Sequence, residues 1–239
     1  LGGKASPPPP LDHPSALNPR HDVHFVRANT PEECVNHITL LCREILPKKF
    51  SVDVSTQVQV LAPLHRGVGG IGNLNDQIRD AINPTGATQV MGPFLFREGD
   101  KVIQTRNNYD KDVFNGDMGI VDSVDTLNGR VDIEFDDRKI PYERMEVTDL
   151  QPAFAISVHK SQGSEYPVAI IPLLKQHFLL LQRNLVYTGI TRARRKVYIV
   201  GSLDAYAMAI KNNKQQIRRT HLQTRLRRAC ERQGSEAKT

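Results

Sequence analysis

The sequence predicts an α/β protein: a parallel β-sheet with helices on its faces, interrupted by a small antiparallel β-barrel. Three observations carry this. On both sides of the middle of the chain, short apolar β-type runs alternate with segments of helical apolar spacing, the pattern of a parallel sheet covered by helices. From about Arg97 to Leu150 the pattern changes to short strands parted by turn signals, which indicates a small barrel. The 239 residues, 39% hydrophobic and 24% charged, suffice for one or two domains with a sizeable core.

Taken in order, Leu1 to Pro19 is proline-rich, with four prolines at Pro7–Pro10, and reads as a linker or disordered lead-in. Val23, His24, Phe25 and Val26 make a strand within Asp22–Arg27. Thr30-Pro-Glu-Glu33 starts a helix, with Thr30 as N-cap, Pro31 at the first position and Glu33 completing a capping box. Cys34, Val35, Ile38, Leu41, Cys42 and Ile45 recur at helical spacing, and Pro47 is expected to end that helix. Val58–Ala62 is a buried strand that delivers Pro63-Leu-His-Arg-Gly67 into a glycine-rich loop. Asn73 opens the next helix, with Leu74, Ile78 and Ile82 inward, closed before Pro84.

In the barrel, the strands are Lys101–Gln104, Ile120–Val124, Val131–Phe135 and Ile140–Tyr142, and the turns are Asn115-Gly116, Asn128-Gly129 and Asp136-Asp137. The α/β pattern resumes with Ala153–Val158, passes through the strands Val168–Ile171 and Val197–Val200, and closes with a helix from Asp204 to Ile210. These shifts divide the chain into a lead-in at 1–20, a first α/β part at 21–96, the barrel at 97–150, a second α/β part at 151–210 and a basic helix and tail at 211–239.

Composition narrows the function classes. The longest apolar runs are far too short to span a bilayer, and no amino-terminal stretch has signal-peptide grammar, so a membrane role is not expected. The three cysteines have no metal-ligand spacing with histidine and read as free thiols in a reducing cytoplasm. Net charge is +6, yet Lys211 to Arg232 holds eight Lys/Arg and one acid, so that the rest of the chain sums to −1. Such a tail suits nucleic acid, and equally a solvated terminal helix.

The chemistry gathers in Ala155–Gly201. Two polar clusters, Ser157-Val-His-Lys-Ser-Gln-Gly-Ser-Glu165 and Tyr187-Thr-Gly-Ile-Thr-Arg-Ala-Arg194, stand beside the apolar strands. Hydroxyls, a glycine, a carboxylate and arginines in that setting suit a site that handles phosphates. Gly163 lets backbone approach a nucleotide, and Glu165 can accept hydrogen bonds from ribose hydroxyls or hold the arginines. Ser157, His159, Lys160 and Ser161 can hold phosphate oxygens without reading bases. Arg66 sits just past a strand end, where such sheets bind ligands, and a guanidinium there can grip two oxygens at once. Taken alone it is a surface arginine in a turn. Thr105–Tyr109 is a polar run in which Asn107 and Tyr109 either meet single-stranded nucleic acid, the tyrosine by stacking, or form a loop capped by asparagine side chains.

The SxHKSQGSE and YTGITRAR strings resemble motifs V and VI of superfamily 1 helicases, closest to the RecD type. The resemblance runs from about Val23 to Ile210 and covers the second motor domain and its insertion. It implies a RecA-like sheet of the P-loop NTPase fold, without the P-loop itself, carrying an SH3-like barrel. It further implies that ATP, with Mg2+, lies between this domain and an amino-terminal RecA-like motor domain that supplies the metal ligands. Arg192 would then act as an arginine finger on the γ-phosphate, joined by Arg66 through a motif IV match in QVLAPLHRG, with Gly163 and Glu165 also facing the nucleotide. Ser157, His159, Lys160 and Ser161 would contact single-stranded DNA, and movement would run 5′→3′. Ser157 stands where the family has threonine, a change that keeps the hydroxyl.

No GxxxxGK[ST] occurs, and no strand of the α/β parts ends in paired acids to hold magnesium, so the chain reads as the carboxy-terminal part of a longer helicase, working alone or in a nuclease complex. Two other readings stay open: the helicase half of a conjugative relaxase, and a non-catalytic nucleic-acid-binding module. RNA as the strand also stays open.

Overall fold

A computed structural model of the chain describes residues 8–91 and 94–213. The expected basic tail lies, from Lys214 onward, outside the described residues.

The chain opens with β1 (Pro10–Leu11) and β2 (Val23–Arg27). Not all of the proline-rich stretch is a lead-in: β1 pairs in parallel with β2, and Leu17 is buried in the core at 2% exposure. Leu11 and Leu17 give this segment apolar surface to bury, and on a sheet edge Pro10 need not donate to a ladder. Helix α1 (Pro31–Leu40) starts as its residues dictate. The Thr30 hydroxyl accepts from the Glu33 N–H at 3.1 Å, while the Glu33 carboxylate accepts from the Asn29 N–H at 2.7 Å, one residue short of the expected reciprocal bond.

Pro47 does not end this helix. The chain passes through a π turn at Leu41–Ile45 into α2 (Leu46–Phe50) and leaves the helix only at Ser51, which has φ 51°. A proline inside an α-helix lacks one hydrogen bond and crowds the carbonyl four residues back, and the wider turn just ahead of Pro47 accommodates both. Helix α3 (Val54–Gln57), strand β3 (Val58–Ala62) and helix α4 (Ile71–Ile82) follow. Helix α4 starts two residues before Asn73, whose side chain donates to the Val68 carbonyl at 2.7 Å and ties the preceding loop.

A hairpin that the sequence reading missed, β4 (Thr88–Met91) with β5 (Phe94–Arg97), precedes the insertion. The insertion itself comprises β6 (Lys101–Gln104), β7 (Met118–Asp125), β8 (Arg130–Phe135), β9 (Arg138–Tyr142) and β10 (Leu150–Pro152). They form a five-stranded antiparallel sheet in the order β10-β6-β7-β8-β9, curled round its own core of Phe96, Val102, Val131, Ile133, Phe135 and Tyr142. The turn between β8 and β9 uses Asp136 and Asp137, both at positive φ, as the turn signal implies.

The main fold resumes with β11 (Ala155–Ser157), β12 (Tyr166–Leu173), α5 (Arg183–Ile190), β13 (Ala193–Gly201) and α6 (Leu203–Lys211). Six strands make one all-parallel sheet in the order β1-β2-β13-β12-β3-β11. Successive residues point to opposite faces, as the pleat requires. Val26, Val60 and Tyr198 pack with α1, α2 and α4 in one core layer, while Phe25, Leu61 and Ile199 pack with α5 and α6 in the other. No helix among the described residues is long and apolar enough to cross a membrane.

Candidate functional site

Strand register divides the candidate residues between two edges of the sheet. On β12 and β13, Tyr166 aligns with Ala193 and Leu173 with Gly201. The amino ends of both strands therefore lie level, and Glu165 and Arg192 stand side by side just ahead of them. Strands β3 and β11 also align, Ala62 with Ser157, and their carboxyl ends open on the opposite edge.

The amino edge is built around Arg192. Helix α5 can reach this position because Gly189 packs against β12: a Cβ there would lie 2.9 Å from Ile171 Cδ1. Past the helix, Arg192 Nη1 donates to the Ser164 carbonyl at 3.0 Å, and its own carbonyl accepts from the Tyr166 N–H at 2.8 Å. Its Nε is buried and has no hydrogen-bond acceptor among the described residues. A buried donor without an acceptor is costly, so this guanidinium has capacity for an anionic oxygen that the protein does not supply. Glu165 holds Arg194 at 2.9 Å, both exposed, so Glu165 steadies an arginine here. Gly163 has φ +90°, and its Cβ position faces open space, so backbone at this point is accessible to a ligand. The arrangement fits the phosphate end of a nucleotide. Among the described residues, no group of three His, Cys, Asp or Glu side chains could hold a metal ion.

At the carboxyl edge, the loop after β11 starts with a turn in which Ser157 Oγ accepts from the Lys160 N–H at 3.2 Å. His159 is exposed and makes no side-chain hydrogen bond among the described residues. Lys160 Nζ donates to Gln151 Oε1 at 3.0 Å, and partial burial lowers its pKa. Ser161 departs from the expected role. It is fully buried, and its hydroxyl donates to the Val158 carbonyl at 2.7 Å, so it holds the turn and presents nothing to a ligand.

Arg66 also lies at this edge, exposed in the loop that follows β3. Val60 aligns with Ile170, and Ile170 with Tyr198. Arg66 lies six residues beyond Val60, and Arg192 six residues before Tyr198. Strand β3 ends at Ala62 and β13 begins at Ala193, so the two arginines lie in loops beyond opposite ends of the sheet.

The insertion carries Asn107 and Tyr109 on the loop between β6 and β7. Asn107 is spent on the loop: its amide donates to Tyr109 Oη at 3.2 Å and accepts from the Asn115 N–H at 2.9 Å. Tyr109 is 77% exposed, edge-on to Phe114 with centroids 6.1 Å apart, and so presents an aromatic face. Thus the capping alternative holds for Asn107, while the tyrosine ring is free to stack. Ile103 and Met118, which flank this loop, pack in the same core layer as Val158.

Sequence reasoning missed the residues that hold the carboxyl edge in place. Asn75 on α4 is buried, and its side chain both donates to the Ala155 carbonyl and accepts from the Ala155 N–H, each at 2.9 Å. It pairs with the edge strand β11 as another strand would. Gln59, buried in β3, donates to the carbonyls of Ala153 at 2.9 Å and Phe154 at 3.1 Å. For Gln59, a polar residue amid the apolar run Val58–Ala62 was the available signal, whereas Asn75 stands among the polar residues of an amphipathic helix and gave none.

Residues 74–135 match the family model of the ATP-dependent RecD-like DNA helicase SH3 domain, and residues 152–200 that of the UvrD-like helicase C-terminal domain. The ATP-dependent RecD2 DNA helicase of Deinococcus radiodurans is 35% identical over 170 residues, covering 71% of this chain and 23% of its own length. The RecBCD enzyme subunit RecD of Mycolicibacterium smegmatis is 31% identical over 171 residues, covering 72% of this chain and 29% of its own. The chain thus spans about a quarter of the length of these relatives. Among solved structures, the Pif1 helicase from Bacteroides in complex with ADP-AlF3 and ssDNA aligns with 86% of this chain and 51% of its own, at a TM-score of 0.49 and 16% identity.

Proposed function

The chain belongs with the RecD-like DNA helicases, whose SH3 and UvrD-like C-terminal domains it carries, and we propose that it is the second motor domain of an ATP-driven helicase that moves 5′→3′ on single-stranded DNA. ATP would lie between the amino edge of its sheet and an amino-terminal RecA-like domain that binds Mg2+. Arg192 would stabilise the charge that develops on the γ-phosphate, which is the main demand of phosphoryl transfer. Gly163 would bring backbone close to the nucleotide, with Glu165 steadying Arg194 beside it. At the carboxyl edge, Ser157, His159 and Lys160 would hold phosphates of the DNA strand, and Tyr109 would stack on a base. ATP binding and hydrolysis would close and open the cleft and advance the strand.

The observation that carries this reading is the buried, unsatisfied Nε of Arg192 beside Gly163 and Glu165, within a chain of this family. The test is unwinding by the intact protein of duplexes with either a 5′ or a 3′ single-stranded tail. ATP-dependent unwinding of the 5′-tailed duplex alone is expected. Unwinding from a 3′ tail would overturn the polarity, and no ATP-dependent activity on either would overturn the motor assignment.

A further inference from the structure

We infer that Lys101, a residue of the barrel, is a positioning residue for Arg192 and acts on it through the ring of Tyr166. The inference rests on the reading above, in which Arg192 faces the γ-phosphate.

Four observations lead to it. First, Lys101 stands at the seam between the barrel and the main sheet. It belongs to β6, where it pairs with Ile120 of β7. Its Nζ nevertheless donates to the carbonyl of Val58, the first residue of β3, at 3.1 Å. Its own carbonyl accepts from the Ala153 N–H at 2.8 Å, where the chain returns from the barrel to β11. The ammonium is buried, so it acts on the site only through its neighbours. Second, the same Nζ lies over the Tyr166 ring, 5.8 Å from its centroid. A cation so placed is drawn to the π face, more strongly where water is excluded.

Third, Tyr166 is fastened to the arginine. Its N–H donates to the Arg192 carbonyl at 2.8 Å, and two residues earlier the Ser164 carbonyl accepts from Arg192 Nη1 at 3.0 Å. The short segment 164–166 thus holds Arg192 both by its main chain and by its guanidinium. Fourth, the Tyr166 hydroxyl does not fix the ring. It is buried near the Ser164 side chain without a hydrogen bond of ordinary length. Packing and the ammonium against its face hold the ring instead. A lysine buried with no carboxylate bonded to it among the described residues is costly, and an apolar side chain would fill the place at lower cost. Setting the geometry of an arginine at a reacting phosphate, where small displacements cost rate, is a use for that charge.

The experiment compares the intact wild-type protein with Lys101→Met, Lys101→Arg, Tyr166→Leu, the Lys101→Met/Tyr166→Leu pair and Arg192→Ala. The kcat and the KM for ATP are measured at saturating single-stranded DNA as pH is raised, and urea unfolding checks the fold. Lys101→Met is expected to lower kcat by about 10-fold and to leave KM for ATP unchanged, because misplacing a catalytic group costs rate more than binding. Lys101→Arg should restore turnover, since a guanidinium keeps the charge and a donor. Tyr166→Leu should lose as much as Lys101→Met, and the pair no more than either, because both act along one route. The titratable groups that face Lys101 are Tyr166 on β12, Asp53 ahead of α3 and Cys42 in the π turn. Burial raises the Tyr166 pKa and pushes the Cys42 thiol up to about 12. Wild-type kcat should therefore fall as pH rises through about 8, where Lys101 gives up its proton, and Lys101→Arg should lack that fall. If Arg192→Ala abolishes turnover but Lys101→Met keeps wild-type kcat, or the two losses add in the pair, or the alkaline fall persists in Lys101→Arg, the inference is wrong and Arg192 remains the finger. Should Lys101→Met fail to fold, Lys101→Arg and Tyr166→Leu decide by the same criteria. If Arg192→Ala retains turnover, the reading of Arg192 fails and the inference falls with it.

Discussion

Arg192 and Ser164 are bound across 28 residues of sequence, guanidinium Nη1 to main-chain carbonyl at 3.0 Å. This bond anchors the arginine to the loop that leads into β12 and leaves its buried Nε without an acceptor. With Nη1 on Ser164 and Nη2 within 3.5 Å of the Thr191 hydroxyl, Nε is the guanidinium nitrogen left without a partner among the described residues.

Arg192→Ala should lower the ATPase rate of the intact protein by about 10³-fold, the usual consequence of removing an arginine finger. Nucleotide affinity should fall far less, because the other motor domain would supply most of the contacts. Steady-state turnover at saturating DNA checks this, and near-normal turnover would remove Arg192 from the catalytic role.

The 239-residue chain, purified alone, should fold and yet show no DNA-stimulated ATPase, because its sequence contains no phosphate-cradling GxxxxGK[ST] loop. Phosphate release measured with and without a single-stranded oligonucleotide tests this. Turnover that rises with DNA, in a preparation free of contaminating ATPases, is the contrary result.

His159→Ala and Ser157→Ala should behave differently. The imidazole is exposed and makes no internal side-chain bond among the described residues, so its loss should weaken oligonucleotide binding by about 2- to 10-fold without altering stability. Ser157 Oγ accepts from the Lys160 N–H, so its removal should also loosen the turn and speed amide exchange at Lys160. Hydrogen-exchange mass spectrometry over residues 157–164 separates the two. Equal exchange in both variants would show that Ser157 does not hold the turn.

Asn75→Leu should destabilise the protein by about 2–4 kcal/mol. It strands the N–H and the carbonyl of Ala155, each costing about 1–3 kcal/mol when buried without a partner. Urea denaturation gives the stability. A loss confined to a few tenths would mean that β11 finds other partners.

Lys101 makes stability depend on alkaline pH. It is 4% exposed, donates to the Val58 carbonyl at 3.1 Å and lies 5.8 Å from the Tyr166 ring. Burial pushes its pKa down to about 8 from 10.5. Between those values the unfolded chain holds the proton that the folded chain has released, so stability rises with pH across that window, by an amount on the order of 3 kcal/mol. The difference between wild-type and Lys101→Met unfolding curves should show this slope. Parallel curves from pH 8 to 10.5 would contradict it.

Much of the architecture was legible because periodicity reports which face of an element is buried. The strands at Val23, Val58, Val168 and Val197, the Thr30 cap and the shift to short strands near Lys101 all follow from local residues. The errors share a cause, since each depended on partners remote in sequence. Pro47 stays inside a helix because a π turn precedes it, and Leu17 enters the core because β1 finds an edge to join. The grouping of Gly163, Glu165 and Arg192 was legible because both motifs lead directly into adjacent parallel strands.

The connection between β11 and β12 has a dynamic consequence. Eight residues, Val158 to Glu165, carry the chain from one edge of the sheet to the other with no helix between them. Fully extended they reach about 27 Å, yet the register asks them to return by roughly 20 Å while folding two turns, so there is almost no slack. A tether this short ties the two edges together: Ser164, whose carbonyl Arg192 holds, stands only five residues from His159, joined to it through turns closed by the Gln162 N–H on the His159 carbonyl and the Ser164 N–H on the Ser161 carbonyl.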